Sequence, residues 1–134
     1  MGKPGDKPFV YAALRVVPRV ERGEFINAGV VLYCQAERFL GARVYLDPAR
    51  LEALDPSADL GAVQAHLDAV HSVCAGGPGA GAVGRLSLAE RFGWLVAPRS
   101  TVVQPSPVHT GLTDDPEAEL DRLLNNMVLP PGGA

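Results

Sequence analysis

Residues 22–33 read RGEFINAGVVLY. The segment is rich in β-formers, yet Arg22 and Glu24 open it, Asn27 interrupts its apolar run, and Gly29 stands where a strand favours side chains. A strand with its period of two resolves the mixture. Ile26, Ala28, Val30, Leu32 and Cys34 fall on one face, and Phe25, Asn27, Gly29, Val31 and Tyr33 on the other. The first set is apolar throughout and is expected to face the core, so Asn27 and Gly29 are expected to point away from it.

The flanking segments repeat the pattern. Residues 9–17 alternate around Arg15, and residues 38–46 follow after the short connection Gln35-Ala-Glu-Arg38, so three strands in an antiparallel meander are predicted over 9–17, 24–34 and 38–46. Their apolar sets all fall on even numbers: Val10, Ala12, Leu14 and Val16, then the set above, then Leu40, Ala42, Val44 and Leu46. Partners across an antiparallel pair share a face. The simplest register therefore sets Arg15 opposite Asn27 and Ala13 opposite Gly29, with Arg43 and Tyr45 alongside. Ala13, Gly29 and Gly41 would then floor a shallow depression ringed by Arg, Asn and the tyrosines Tyr11, Tyr33 and Tyr45. Glycine in a strand often marks a close approach to the backbone. The competing expectation is that a helix or the loop at 98–113 covers this face, with Trp94 or a proline in the depression.

Beyond residue 46 the local chemistry is helical. Asp47-Pro48 ends the third strand before a short helical piece near 49–54. Asp59 caps a helix over 59–75, with Leu60, Val63, Leu67, Val70 and Cys74 as its stripe. Ser87-Leu-Ala-Glu90 is a capping box that opens a helix over 87–97, ending before Pro98. Asp115-Pro116 opens a third over 116–128, with Leu120, Leu123, Leu124, Met127 and Val128 inward. A fourth strand fits 101–104, at an edge because Pro105 follows. The class is α+β: a three- to four-stranded antiparallel sheet with about three helices, in one domain over 1–134. Residues 1–8 and 129–134 are expected to be loose ends, and 76–84 a flexible Gly-rich loop.

Composition narrows the function classes. The 134 residues are 47% apolar with a net charge of −3, which suits a globular chain and makes nucleic acid an unlikely partner. No apolar run reaches the roughly 20 residues of a membrane span, and MGKPGDKP carries no signal segment, so a cytoplasmic location is expected. Cys34 and Cys74 read as small buried hydrophobes. Gly79-Ala-Gly-Ala-Val-Gly84 matches the letters of a dinucleotide fingerprint, but a helix rather than a strand precedes it. Ser106, His109 and Asp114 crowd one proline-rich loop without a nucleophile elbow. His66 and His71, five apart, do not share a helical face. No cofactor, no metal and no catalytic residue is therefore assigned, and the pattern leans away from an enzyme.

The remaining signal is positive charge. Residues 1–50 hold eight Lys/Arg against five Asp/Glu, and residues 85–110 hold three arginines against Glu90. Folding can join these segments into one patch. The second runs RFGWLVAPRSTVVQPSPVH from Arg91 to His109, a stiff stretch whose prolines hold donors in place. Arg15, Arg22, Arg91 and Arg99 would supply charge to an anionic small molecule or a partner protein, and Asn27, Ser100, Thr101, Gln104 and His109 would orient it. Glu24 is expected to pair with one of the arginines. Two alternatives stay open: an enzyme acting on a phosphate-containing substrate, which needs Glu24, His109 and Arg99 in one cleft, and single-stranded nucleic-acid binding on the tyrosine face.

The stretches Leu14-Arg-Val-Val-Pro18, RGEFINAGVVL at 22–32, Arg91-Phe-Gly-Trp-Leu95 and PRSTVVQPSPVH at 98–109 resemble the bacterial family labelled domain of unknown function 3037, over roughly residues 9–128. The resemblance implies no established activity. Members are often encoded beside a kinase similar to the HipA toxin kinases, which implies an accessory role with a HipA-like kinase as partner.

Overall fold

In the computed structural model, which describes residues 5–131, five antiparallel strands form one sheet. They are β1 (Lys7–Val16), β2 (Ile26–Cys34), β3 (Phe39–Val44), β4 (Val103–Pro105) and β5 (His109–Thr113). The order is β3-β2-β1, and β4 and β5 share the other edge of β1. Proline explains why that edge is split. Pro105 and Pro107 lack an N–H for a ladder, so Ser106 alone bonds β1 between them. Its N–H donates to the Ala13 carbonyl and its Oγ accepts from the Ala13 N–H, each at 2.8 Å. Thus the predicted edge strand at 101–104 exists at Val103–Pro105, and a fifth strand follows it.

The even-numbered sets of β1 and β3 do line the main core, but the registers overturn the even-numbered face of β2. Val10 pairs with Tyr33, Ala12 with Val31 and Leu14 with Gly29, even against odd. In the same way Val44 pairs with Gly29, Ala42 with Val31 and Leu40 with Tyr33. A bulge at Ala28 then shifts the ladder by one, so that Arg15 faces Asn27 and Val16 faces Ile26. The cause lies in β2, where Val30, Val31 and Leu32 are all fully buried. A strand buried on both sides has no polar face from which parity can be read. Gly29 and Tyr33 therefore belong to the layer opposite the expected one, Tyr33 stacking on Phe92 at 5.8 Å. Gly41 does share Arg15's face, but a Cβ there would meet the Phe39 ring at 2.7 Å and Leu120 at 3.0 Å. Ala13 lies opposite Val30, and Tyr45 is exposed beyond the end of β3.

Helices cover both faces. α1 (Pro48–Leu54), α2 (Leu60–Ala75) and α3 (Leu88–Leu95) lie on one side, burying Leu51, Val63, Leu67, Val70, Phe92 and Leu95 with Ala12, Leu14, Val16 and Val31. α4 (Pro116–Met127) packs Leu120 and Leu123 on Leu32 and Cys34 across the other side. The caps are those the sequence indicates: Asp47, Asp59 and Asp115 accept from backbone N–H groups, and Ser87 and Glu90 form the reciprocal box. Arg43 is spent on α4, bonding Glu117 and Asp121 at 2.7 and 3.0 Å. Cys34 is buried, while Cys74 is partly buried, with its thiol pushed up to about 11 by that burial. Among the described residues no helix is long and apolar enough to cross a membrane.

Parts of the three segments expected to be loose make defined contacts. Residues 78–85 form 3-10 turns closed by the Gly77 N–H donating to the Gly84 carbonyl at 3.1 Å. A Cβ on Gly84 would lie 2.0 Å from the Gly77 oxygen. Of the expected loose ends, Lys7 and Pro8 pair with Thr113 and Leu112, and the Leu129 N–H donates to the Leu124 carbonyl; residues 1–4 and 132–134 lie outside the described residues.

After α1, Asp55 accepts from the Ser57 hydroxyl at 2.7 Å and its N–H at 3.0 Å, with Arg19 at 3.5 Å. These contacts, the Ser57 hydroxyl first, hold the carboxyl below the ordinary aspartate range. A lowered folded value stabilises the fold above the unfolded value of about 3.9 and loses that contribution as pH falls through the folded value. Ser57→Ala is therefore expected to move the acid-unfolding midpoint to higher pH, measured by circular dichroism.

Candidate binding site

On the α4 side of the sheet, one register row runs across three strands. Gln104 of β4 faces Arg15 of β1, and Arg15 faces Asn27 of β2. The Arg15 guanidinium lies over the Phe25 ring, 4.3 Å from its centroid, and Phe25 is 44% exposed. The Asn27 amide is oriented by its Nδ2, which donates to the Met127 carbonyl at 3.1 Å. Arg15 Nε and Asn27 Oδ1 are both buried and, among the described residues, without a hydrogen-bond partner. A buried donor or acceptor left unmet costs about 1–3 kcal/mol, so this row holds polar capacity that the fold itself does not use. Gln104 is held at its own end, its Nε2 donating to the Thr101 carbonyl at 2.9 Å. Two residues along β1 from Ala13, Tyr11 packs its ring 5.5 Å from that of His109. α4 shields the β2 and β3 part of this face. The 98–109 segment does not cover the remainder: it extends the sheet at the edge as β4 and the start of β5.

The structure distributes the ten expected site residues among four places. Arg15, Asn27, Gln104 and His109 share the face just described. Arg22 and Glu24 form an exposed ion pair at 2.7 Å before β2, and the Arg22 guanidinium holds the Glu24 carboxyl below its ordinary range. Arg91 is buried and belongs to no surface site: its Nη1 donates to the Val73 and Cys74 carbonyls at 2.8 and 2.7 Å, and its Nε to the Leu86 carbonyl. Arg99 lies on the α2–α3 side, its guanidinium 4.8 Å from the Trp94 ring and bonded to the carbonyls of Trp94 and Ala97. Thr101 bonds the Val103 carbonyl, and Ser100 is exposed. Glu24, His109 and Arg99 therefore do not meet in one cleft, as the enzyme alternative requires. The nucleic-acid alternative keeps Tyr11 and loses Tyr33, which lies in the opposite layer, while Tyr45 is exposed beyond the end of β3.

The profile described as "Protein of unknown function (DUF3037)" matches residues 11–128. The chain belongs to the DUF3037 family. Searches of curated proteins and of solved structures find no match. The DUF3037 match takes in the whole polar row, the Arg22–Glu24 pair and the Arg99 segment, and its description attaches no role to any of them.

Arg15 stands apart from the other arginines of this DUF3037 chain. Among the buried and half-buried arginines, Arg43 bonds two carboxylates, Arg50 the Val128 carbonyl, and Arg91 and Arg99 helix-end carbonyls. Among the described residues, Arg15 has a ring face as its partner and no oxygen acceptor. Phe25 was legible as a neighbour of Asn27 in the strand pattern; its stacking with Arg15 follows from the bulge, which the sequence does not announce.

Proposed function

We propose that this chain is a non-catalytic binding module that receives an anionic group, a carboxylate or phosphate of a small molecule or partner protein, on the Gln104–Arg15–Asn27 row. The observation that carries the reading is the half-buried Arg15, which has no anion partner among the described residues. A cation–π contact contributes about 0.5–2 kcal/mol, and an incoming anion adds a charge-assisted bond to it without having to displace an internal carboxylate. Asn27 and Gln104 flank the guanidinium, and Phe25 holds its plane.

A HipA-like kinase, the partner implied by the family resemblance, belongs to this proposal as a protein that would present the anionic group. A thermal-shift panel of phosphate, nucleotides and dicarboxylates, with pull-down of a HipA-like kinase, tests it. A hit is expected for the wild-type chain, and Arg15→Ala is expected to weaken it by about thirtyfold or more, the scale of a binding hot spot. Arg15→Lys should recover little, because an ammonium offers no planar fork. Silence of the wild-type chain in both assays refutes the reading.

A further inference from the structure

The cavity beneath Arg99 lies on the opposite side of the sheet from Arg15, and it is of a different kind. It is a groove of about 260 Å³ between α2, α3 and β4, open to solvent on one side. Leu14, Val70, Val73, Leu95 and Val103 make it apolar. His66, Trp94, Arg99 and Thr101 are its polar lining residues. The two ionisable groups in its lining are both bases, His66 and Arg99, and no carboxylate is among the lining residues.

Arg99 is pre-set for a ligand. Its Nε and Nη2 are bound to the Ala97 and Trp94 carbonyls, and the Trp94 ring supports its plane. Nη1 remains for a further acceptor. The Thr101 hydroxyl is spent on the Val103 carbonyl at 2.8 Å, which leaves the imidazole of His66 and the indole N–H of Trp94 as the other lining groups able to meet an anion. One guanidinium and one imidazole suit a single negative charge better than the double charge of a phosphate. The apolar lining needs hydrocarbon to fill it. The volume is below the roughly 300–1,000 Å³ of drug-sized sites, which limits the occupant to one ring or a short chain.

From these features we infer that the cavity between α2, α3 and β4 is a second binding site, for a small apolar monocarboxylate whose carboxylate meets Arg99 and His66. The inference goes beyond the Arg15 row and does not depend on it.

Trp94 is the single tryptophan of the chain, so its fluorescence reports the site directly. Phenylacetate is the probe, with phenylacetamide as its uncharged counterpart and inorganic phosphate as the anion without hydrocarbon. Phenylacetate is expected to change Trp94 emission saturably, with phenylacetamide and phosphate at least tenfold weaker. Arg99→Gln should raise the phenylacetate Kd at least tenfold. Because Arg99 also ties down the end of α3, a second variant keeps the test decisive. Ala69 is exposed on α2 and lines the cavity, so Ala69→Phe should fill it and abolish the response while the thermal midpoint holds. Arg15→Ala should leave the titration unchanged, which separates this site from the one above. No saturable change at millimolar phenylacetate, equal binding of the amide or of phosphate, or an unaltered response in Ala69→Phe would each overturn the inference.

Discussion

Arg91→Ala is expected to lower the thermal midpoint by about 10 °C or more while leaving anion binding at Arg15 intact in the protein that stays folded. Arg91 is buried, and its guanidinium closes the end of α2 by donating to the carbonyls of Val73 and Cys74. Those are last-turn carbonyls that the helix cannot satisfy for itself, and they carry the negative end of its dipole. The same side chain reaches the Leu86 carbonyl, linking α2 to the connection before α3. Hydrogen bonds from a charged donor contribute about 1.5–3 kcal/mol each. Removing the guanidinium leaves buried carbonyls unmet, each at a cost of about 1–3 kcal/mol. At roughly 3–5 °C per kcal/mol for a chain of this length, the shift is large and easily read by circular dichroism. Arg91→Lys should recover a minority of the loss, since an ammonium does not span the separated acceptors. An unchanged midpoint with lost anion binding would return Arg91 to the binding residues.

The contrast between Arg91 and Ser87 shows what kind of information a sequence exposes. Ser87 and Glu90 act on each other's backbone three residues apart, so their box is legible from spacing alone, as are Asp59 and Asp115 at their helix starts. Arg91 acts on carbonyls 17 and 18 residues away, through a chain path that closes only because Gly77 and Gly84 meet. No local pattern records that. The strands were legible as strands for the same local reason, and so were the core faces of β1 and β3, but not the face of β2. Val30, Val31 and Leu32 satisfy either parity, and the choice was made by the helices on both sides. β5 escaped notice because its residues are mostly exposed and include Gly111, so its place is set by the free edge of β1. The pairing of Arg15 with Asn27 was anticipated from parity that fails over most of the strand. The bulge at Ala28 restores it locally, and with it the core of the candidate site.

Gly29 separates the two versions of the sheet by experiment. Were it the floor of an open depression, a side chain there would relieve the entropy that glycine costs a strand, and Gly29→Ala would be neutral or mildly stabilising. In the structure a Cβ on Gly29 would stand 2.9 Å from the Arg43 carbonyl, 3.0 Å from Val44 Cγ1 and 3.1 Å from Leu14 Cδ1. The nearest of these is backbone of β3, which cannot yield without disturbing the ladder that holds Arg43 opposite Val30. Overpacking of this kind costs about 1–3 kcal/mol, so Gly29→Ala is expected within that range and the β-branched Gly29→Val at about 3 kcal/mol or above. The measurement is the urea midpoint at constant m-value. Gly93 in α3 is the control, because a Cβ there meets nothing within 4 Å and an alanine gains helix propensity. Gly93→Ala should stabilise by about 0.5–1 kcal/mol. Since Gly29 and Arg15 lie on opposite faces, the folded fraction of Gly29→Ala should bind anions as the wild type does. A Gly29→Val chain with an unmoved midpoint would mean that the layers are assigned to the wrong sides. The Arg15–Asn27 row would then lose the geometry on which its proposed role rests.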